Sequence, residues 1–560
     1  MRLLSALCLF CLSASGLHAQ EQTGSTFAPL RDDNHQWTDY EQIRRSDFQH
    51  LHSHIQPLLR SDIARLAQDT SSLLPDHAKN YLHADNIEFF GDTLRSQRRP
   101  LFKYLYRSPA FLYEYTSDAL SFKINPMLDA TVGMQRLATG ENSLLYTNMR
   151  GAQVRGNIAR RIHFYSEILE TQALQPLYLQ DFIEQNQAVP QAGFFKPFQS
   201  RFTPNQPNGG VDYLLASGYV SFKIAKIVNV QFGNGRNFWG DGIRSLFLSD
   251  FSTNYNFLKI STHYKFLHYQ NLFAELVADH TPRANIRVPR KFFAAHLLSF
   301  NLRRNLNLTL FESVMYGARN GLELSYLNPI IFYRAAEQQL GSPDNAIVGA
   351  SLKFNFLRCL SAYGQIIFDE FVFNELFIRR AGWWGNKYGI QLGLKYVDAF
   401  TIPQLSLQAE WNRVRPYTYT FIDSTANYTH YNQAIAHPLG ANFNEIILSA
   451  TYTGIPRLHL QSQCFLIQQG IDSTNSNWGS NLRLSYTTRP YEDGHSTGQG
   501  VQQNVLFWHT QARYALRHNL HLGAQYTFRR STSALPSRNH TAHLLALSLR
   551  YHFTPTGSQF

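Results

Sequence analysis

Apolar and polar residues alternate in repeated segments from about residue 119 to the C-terminus, and turns or loops separate the segments. In the last one, Leu545, Leu547 and Leu549 fall on one face, and Ser548 and Arg550 on the other. Successive side chains of a strand point to opposite faces. Many such strands are typical of a closed barrel with an apolar outside and a polar inside. Closure also leaves no edge without hydrogen-bond partners in lipid. The pattern predicts an all-β, antiparallel transmembrane barrel of the outer-membrane type.

The number of strands follows from this alternation and from an even-number rule. Strands are predicted at 119–130, 145–157, 159–171, 211–224, 226–234, 256–264, 267–278, 289–299, 305–315, 345–356, 358–369, 388–397, 403–413, 443–453 and 457–468. Four further candidates are 479–487, 503–515, 518–529 and 541–553. Because single-chain bacterial barrels have an even number of strands, we predict about 18 strands, with one of the last four candidates false.

The links between the predicted strands alternate in length. Short turns contain Ala225, Phe266-Leu267, Arg303-Arg304 and Leu357, whereas the long loops are 172–210, 235–255, 316–344, 370–387 and 414–442. Outer-membrane barrels have short periplasmic turns and long surface loops. We therefore expect these loops outside the cell and the N-terminal segment in the periplasm.

Residues 20–110 differ from the predicted barrel at 111–560. Ser61 is a predicted N-cap, and Ile63 and Leu66 share one face of the helix that would follow it. Pro75-Asp76 predicts the start of a second helix, through Leu82. The segment is a predicted periplasmic helical plug that packs across the inner mouth.

The first 19 residues have the features of a secretory signal peptide. Arg2 precedes an apolar run over 3–12, and small residues lead to a cleavage point after Ala19. The run is shorter than the roughly 20 apolar residues of a membrane helix. We expect export and an outer-membrane location.

The composition of the chain limits the classes of binding partner that we expect. The formal net charge of +12 suits an acidic partner such as anionic polysaccharide or lipopolysaccharide. No dense Lys/Arg run is present, so we expect no nucleic acid. Cys359 and Cys464 remain after cleavage and are either paired or free. We expect a monomer in contact with outer-membrane lipid.

Three alternating histidines, His50, His52 and His54, would share one face of a strand. They are a candidate metal cluster, or else part of an ordinary extended segment. No carboxylate or cysteine completes a ligand pattern. We therefore predict neither a metal nor a cofactor.

Aromatic and charged residues concentrate in the long loops. They form a predicted ligand set because aromatic rings stack on sugars, while charged groups bind hydroxyls or carboxylates. The alternative is that arginines and carboxylates pair to fill the lumen. The set is Trp239, Asp241, Arg244, Asp369, Glu370, Trp383, Trp384, Arg415, Tyr417, Tyr419 and His437.

Several segments together resemble a known family. They are 235–250, 325–329, 382–387, 437–443 and the N-terminal Gln56–Ala64. With them the chain resembles the Bacteroidetes outer-membrane proteins of the Wzi capsule-assembly type, including the gliding-motility RemB-like proteins. The resemblance implies an eighteen-stranded barrel with a helical plug that holds capsular or other surface polysaccharide in a lectin-like manner. It implies a link to motility in gliding bacteria, and no catalytic residues.

Two other function classes stay open. A hydrolase would need a Ser/His/acid set, for which His437, Asp369 or Glu370, and Ser245 or Ser325 are available. Their order matches no known motif, so we predict no enzyme. The other class is a diffusion channel. Loop 316–344 has the length and apolar character to fold inward and occlude the lumen, which argues against a pore.

Overall fold

The computed structural model describes residues 25–48, 51–90, 111–198, 210–278, 288–317, 321–341, 344–473 and 476–552. Eighteen antiparallel strands close into one barrel. In chain order they are β1 Leu120–Leu137, β2 Asn142–Ile158, β3 Ile162–Leu174, β4 Gly210–Ala225, β5 Val228–Gly235, β6 Tyr255–Tyr264, β7 Leu267–Val277, β8 Arg290–Arg303, β9 Leu306–Tyr316, β10 Asn345–Phe356, β11 Leu360–Glu370, β12 Lys387–Val397, β13 Leu405–Val414, β14 Phe443–Tyr452, β15 Leu458–Ile471, β16 Val501–Arg517, β17 Leu520–Ser533 and β18 His540–Tyr551.

Each barrel strand pairs with its neighbours in sequence, and β18 closes the barrel against β1, with Leu547 opposite Val132. The fold class and the eighteen strands are thereby confirmed. The false candidate is 479–487, which lies in the loop between β15 and β16. Its alternation arises from loop packing, because Leu482 is buried against the lumen cluster. The signal peptide lies outside the described residues.

The outer face of the barrel carries the apolar side chains of the alternation. Leu545 and Leu547 are 59% and 60% exposed, whereas Ala546 and Ser548, which alternate with them, are buried against the interior. Phe232 on β5 shows the same outward exposure. An apolar wall of this kind is the surface that lipid covers in a membrane barrel.

A helical plug, residues 25–90, closes the short-turn end of the barrel. Its helices are α1 Asp33–Arg45, α2 Arg60–Gln68 and α3 Asp76–Asp85. They bury a shared apolar cluster that includes Trp37, Ile43, Ile63, Leu74 and Leu82. Helix α3 begins after Pro75 as predicted. The predicted Ser61 cap is wrong, because α2 begins at Arg60 with Leu59 as its N-cap, two residues earlier than predicted.

Contacts at the rim fix the plug at that end. The Phe48 N–H donates to the Arg304 carbonyl at 2.8 Å, and Arg44 pairs with Asp398 at 2.9 Å. Cys359, also at this rim, and Cys464 are both free cysteines. Within the described ranges, no helix is long and apolar enough to cross a membrane.

Short elements lie outside the eighteen barrel strands and the three plug helices. The helices are α4 Leu177–Asn186 and α5 Tyr333–Gln339, with a π-helical turn at Asn374–Arg379. Short strands are Ile55–Gln56, Tyr113–Thr116, Lys196–Phe198, Phe238–Trp239, Thr429–His430 and Gln433–Ala434. Single 3-10 turns are Ile87–Phe89, Leu324–Leu327, Ala399–Thr401, Ser424–Ala426, Tyr486–Thr488 and Pro536–Arg538.

Candidate functional site

The lumen is filled from both ends. The loop between β5 and β6 folds inward, and its strand Phe238–Trp239 pairs with Ile55–Gln56 of the plug. Trp239 is fully buried, and its indole N–H donates to Gln270 Oε1 at 2.7 Å. A large apolar cluster surrounds this contact inside the barrel. Trp239 therefore packs the lumen, with both faces of its ring covered by protein.

Asp241 belongs to a buried ionic network that joins the inward loop, the plug and the wall. Lys353 Nζ lies 3.0 Å from Asp241 Oδ1 and 2.6 Å from Asp39 Oδ1 on helix α1. Lys395 Nζ lies 2.6 Å from the other oxygen of Asp39. Burial is the largest single influence and would raise the pKa of Asp241, but Lys353, His54 and Lys395 together outweigh it, so the pKa is lowered. The carboxylate is therefore charged and already paired.

Arg244 and His437 share a buried partner, Glu445 of β14. Arg244 Nη2 is 3.2 Å from Glu445 Oε1, and His437 Nε2 is 2.8 Å from Glu445 Oε2. Burial lowers the pKa of His437, which keeps the imidazole neutral near pH 7, despite the opposing effect of Glu445. Glu410 Oε1 accepts the Arg244 backbone N–H at 3.0 Å. These contacts attach the inward loop, which lies between Gly235 and Tyr255, to the barrel wall.

Asp369 and Glu370 end strand β11 and meet Lys387 at the start of β12. Lys387 Nζ is 3.0 Å from Asp369 Oδ1 and 3.3 Å from Glu370 Oε1. Asp369 also accepts the Tyr419 N–H at 2.6 Å. The Asp369 side chain is buried, whereas that of Glu370 is 35% exposed. Of this pair, Glu370 is the one that solvent reaches.

The loop between β13 and β14 also folds into the mouth. The hydroxyls of its fully buried Tyr417 and Tyr419 donate to the carbonyls of Asn477 and Leu246, each at 2.8 Å. Burial raises the pKa of both phenols, so they remain protonated donors. The buried Arg415 donates to the Trp383 carbonyl at 3.3 Å. These three side chains hold loops together.

The two adjacent tryptophans differ in exposure. Trp384 is 9% exposed, donates to Glu492 at 2.8 Å, and lies 4.0 Å from the Arg489 guanidinium. Trp383 is partly exposed beside it. Of the eleven predicted ligand residues, Trp383 and Glu370 retain the most accessible side chains.

The alternating histidines lie beneath the inward loop. His50 falls outside the described residues. His52 is 2.7 Å from Ser299 and His54 is 3.0 Å from Thr309, so both bond to inward-facing hydroxyls of the wall. Burial lowers the pKa of His54 to about 4. No cluster of three metal-binding side chains occurs in the part of the chain that the structure describes.

The residues of the hydrolase alternative have other partners. Besides the His437–Glu445 pair, the Ser245 hydroxyl donates to the Trp239 carbonyl. Ser325 lies in the segment between β9 and β10, next to Tyr326, which packs on Val314 and Tyr316 of β9.

A cleft of about 520 Å³ opens at the long-loop end, above the filled lumen. We call it the mouth cleft. Helix α4 forms one side, and the loops that follow β13 and β15 form the other, above the outer ends of β15–β18. Its polar lining is rich in amides and arginines and consists of Asp181, Gln185, Asn186, Thr429, Asn432, Gln433, Gln469, Asp472, Ser480, Asn481, Arg483, Gln503, Arg529, Ser537, Arg538 and His540.

Tyr178 and Arg529 form the floor of the mouth cleft. The Arg529 guanidinium lies 5.1 Å from the centre of the Tyr178 ring, and the arginine is 9% exposed. Its Nε has no hydrogen-bond partner among the described residues. Phe182, one helical turn after Tyr178, adds a second ring on the same face. A buried, incompletely paired cation beside an aromatic ring is a site where a polar ligand gains from binding.

The sequence contains a signal for this cleft that the predicted ligand set leaves out. We predicted a plain loop over 172–210, yet Pro176 precedes a stretch in which Tyr178 and Phe182 recur at helical spacing. Arg529 lies in a predicted strand, where the alternation does not distinguish it from ordinary inward-facing residues. Only the folding of distant loops shows that these side chains meet.

The fold is similar to that of a known outer-membrane barrel. No protein-family model and no curated protein matches the chain. Among solved structures, Wzi of Escherichia coli, an outer-membrane protein involved in group 1 capsule assembly and a carbohydrate-binding β-barrel, is similar with a TM-score of 0.54 and 12% identity, over 95% of this chain and 100% of that one. OccK8 and OprD of Pseudomonas aeruginosa give TM-scores of 0.41 and 0.40 at 8% and 10% identity, over 76% and 78% of this chain and 98% and 96% of theirs. The likeness to Wzi shows a shared barrel fold.

Proposed function

We propose that this protein is a non-enzymatic outer-membrane barrel that binds surface polysaccharide in the mouth cleft. The observation that carries the proposal is an amide- and arginine-lined cleft of about 520 Å³ above a lumen that the plug and inward loops fill. Such a barrel presents a binding surface rather than a passage. The Wzi structure, a carbohydrate-binding barrel, supports the same interpretation.

The lining matches the chemistry of an acidic glycan. The apolar CH face of a sugar ring stacks on aromatic rings such as Tyr178 and Phe182, and amides exchange hydrogen bonds with hydroxyls. Arg483, Arg529 and Arg538 suit carboxylate or other anionic substituents. Asp472, by contrast, accepts backbone N–H groups of its own loop. The balance in the cleft is cationic.

The finer assignment extends this proposal. Residues 1–19 would direct export, and the cleft would retain capsular polysaccharide on a monomer, with lipopolysaccharide around the barrel. In a gliding bacterium, the same retention would serve surface motility, as in RemB-like proteins. A deletion strain, compared for cell-bound against released polysaccharide and for colony spreading, separates the two roles.

Removing the floor of the mouth cleft should weaken glycan binding. Tyr178→Ala with Arg529→Gln removes a stacking contact worth about 1 kcal/mol and a charge-assisted contact worth about 1.5–3 kcal/mol. Affinity should therefore fall roughly 60-fold or more. Titration of the cell's isolated polysaccharide into purified barrel measures this, with heat-modifiable gel mobility as the folding check.

Two further variants make that titration decisive. Tyr491→Ala removes a loop tyrosine that is 64% exposed and does not line the cleft, so binding should persist. Trp383→Ala tests the ring predicted from the sequence. If Tyr178→Ala with Arg529→Gln bound the glycan as tightly as the parent protein, and Trp383→Ala bound it more weakly, the binding site would lie outside the mouth cleft.

The orientation of the barrel can be tested with trypsin. Arg483 is exposed at the long-loop end, and the Arg65 side chain is 74% exposed on the plug. Trypsin added to intact cells should cleave after Arg483 and spare Arg65, whereas both sites should be cut after lysis. Mass spectrometry identifies the fragments. Cleavage after Arg65 in intact cells would reverse the orientation.

A further inference from the structure

Segment 321–341, between β9 and β10, lies against the outer wall of the barrel. The prediction that this loop folds inward is wrong. On β9, Phe311 and Met315 point into the lumen cluster, whereas Val314 and Tyr316 point outward. Both outward side chains are nevertheless buried. The residues that cover this wall are Tyr326, Tyr333 and Ala336, packed over Phe273, Phe292, Ala294, Val314 and Tyr316.

The wall beneath the segment is unusually polar for a lipid-facing surface. Asn271 and His296 stand opposite each other on β7 and β8, and His296 stands opposite Glu312 of β9. Asn271 and His296 are 2% and 7% exposed. The Tyr333 ring lies 4.0 Å from the His296 ring, and the Arg334 N–H donates to Glu312 at 2.9 Å. Polar side chains that face acyl chains are costly, so the segment shields them.

The exposed side of the segment is apolar where it reaches furthest down the wall. The Pro329 carbonyl accepts a hydrogen bond from the Tyr269 hydroxyl, and Tyr269 is the third residue of β7 from the short-turn end. Near this tip, Leu324, Ile330 and Phe332 are 80%, 83% and 77% exposed.

The returning helix α5 is polar on its exposed side. Its exposed residues include Arg334, Gln338 and Gln339, and the chain then rejoins β10 at the long-loop end. The polarity of the exposed surface therefore follows depth along the wall, as it does for protein surfaces in a bilayer.

The tip also satisfies its backbone groups locally. Pro329 has no N–H, and its carbonyl is bonded to Tyr269. The Ile330 N–H donates to Asn328 Oδ1 at 3.1 Å. The Ala335 and Ala336 N–H groups both donate to the Phe332 carbonyl. A non-helical segment survives in hydrocarbon only when such groups find partners.

The loop between β11 and β12 also has exposed apolar side chains that suit contact with a membrane. After β11, Phe371 packs on the outward Phe368 at 5.0 Å. Phe373 and Ile378 are 61% and 72% exposed, next to the basic Arg379. Apolar side chains beside arginine at the rim are typical of elements that rest in a membrane interface.

We propose that segment 321–341 is a lipid-immersed flap: its tip lies among the acyl chains of the bilayer and takes the place of lipid over Asn271, His296 and Glu312. The proposal rests on the barrel's spanning a bilayer, and not on glycan binding. Lipid is the occupant that fits, because the exposed surface changes from apolar to polar with height along the wall.

Site-specific fluorescence in vesicles tests the flap. In a background with Cys359→Ala and Cys464→Ala, a bimane label is attached to Ile330→Cys, Gln338→Cys or Thr487→Cys. Residues 20–560, which lack Cys8 and Cys11, are reconstituted in phosphatidylcholine. Doxyl-labelled lipid should remove most of the fluorescence at residue 330 and less at residue 338. Residue 487, in an exposed surface loop, should respond to aqueous iodide instead.

Two results would overturn the proposal. Iodide quenching at residue 330 would place the tip in water. Protection from both quenchers, together with a dimer mass by native mass spectrometry, would place it against a second copy of the chain. Heat-modifiable mobility of each labelled protein confirms that the barrel has folded.

Discussion

Replacing Asp39 by alanine should release the plug from the barrel wall. Asp39 is the shared partner of Lys353 and Lys395, and its loss leaves Lys353 with Asp241 and removes the carboxylate that Lys395 contacts. Breaking a buried ion pair from one side costs about 3–5 kcal/mol. Amide hydrogen exchange of helix α1 measures this local stability, and at about 1.4 kcal/mol per tenfold it should accelerate a hundred-fold or more.

A matched variant separates this effect from ordinary charge loss. Asp118→Ala removes a fully exposed carboxylate from its pair with Arg160 at the same end of the barrel. Exposed pairs contribute about 0–1 kcal/mol, so exchange in α1 should stay unchanged. If α1 in Asp39→Ala exchanged as slowly as in the parent, the ionic network would not be what retains the plug.

The second large effect concerns conductance. The intact protein should show little steady current in planar bilayers, because the plug and the loops after β5 and β13 occupy the lumen. Removing residues 25–90 and shortening both the loop between Gly235 and Tyr255 and the loop between Val414 and Phe443 should open a large, stable channel. Removing the plug alone should open it only in part, because Trp239 and Tyr419 remain inside.

Porin-sized current from the intact protein would contradict a filled lumen. It would favour the diffusion-channel alternative instead. The gel-mobility check again applies, because a misfolded barrel also leaks. A current that appears only in the combined variant would show that the plug and the loops close the lumen jointly.

The barrel was predictable because its signal is local. An alternation of period two tells which side chains share a face, and a one-residue shift would exchange lipid and lumen, so strand positions are strongly constrained. The segment 479–487 shows the limit: Leu482, Leu484 and Tyr486 alternate in a loop as they would in a strand. Only the pairing of β15 with β16 reveals the difference.

The candidate site was less predictable because burial in loops depends on distant partners. Trp239 and Tyr419 are aromatic loop residues, and nothing beside them in the chain indicates that one meets Gln270 and the other the Leu246 carbonyl. The loop after β9 was expected in the lumen for its apolar content. Apolar residues in this loop are equally compatible with the lipid-facing side of the barrel. Which side the loop covers depends on whether the inner or the outer wall carries polar groups that need to be shielded.

The way the plug is attached has a consequence for assembly in the cell. Asp33 binds Arg513 of β16, a contact that spans 480 residues, and the Phe27 N–H donates to Tyr219 of β4. The N-terminal part of the plug must therefore wait for β16, the third strand from the C-terminal end, before its binding surface exists. Contacts this distant slow folding, and the inward loop blocks entry from the opposite end. We expect the sheet to curl around the plug while β18 pairs with β1. A chain truncated before β16 should therefore form neither the closed barrel nor a docked plug.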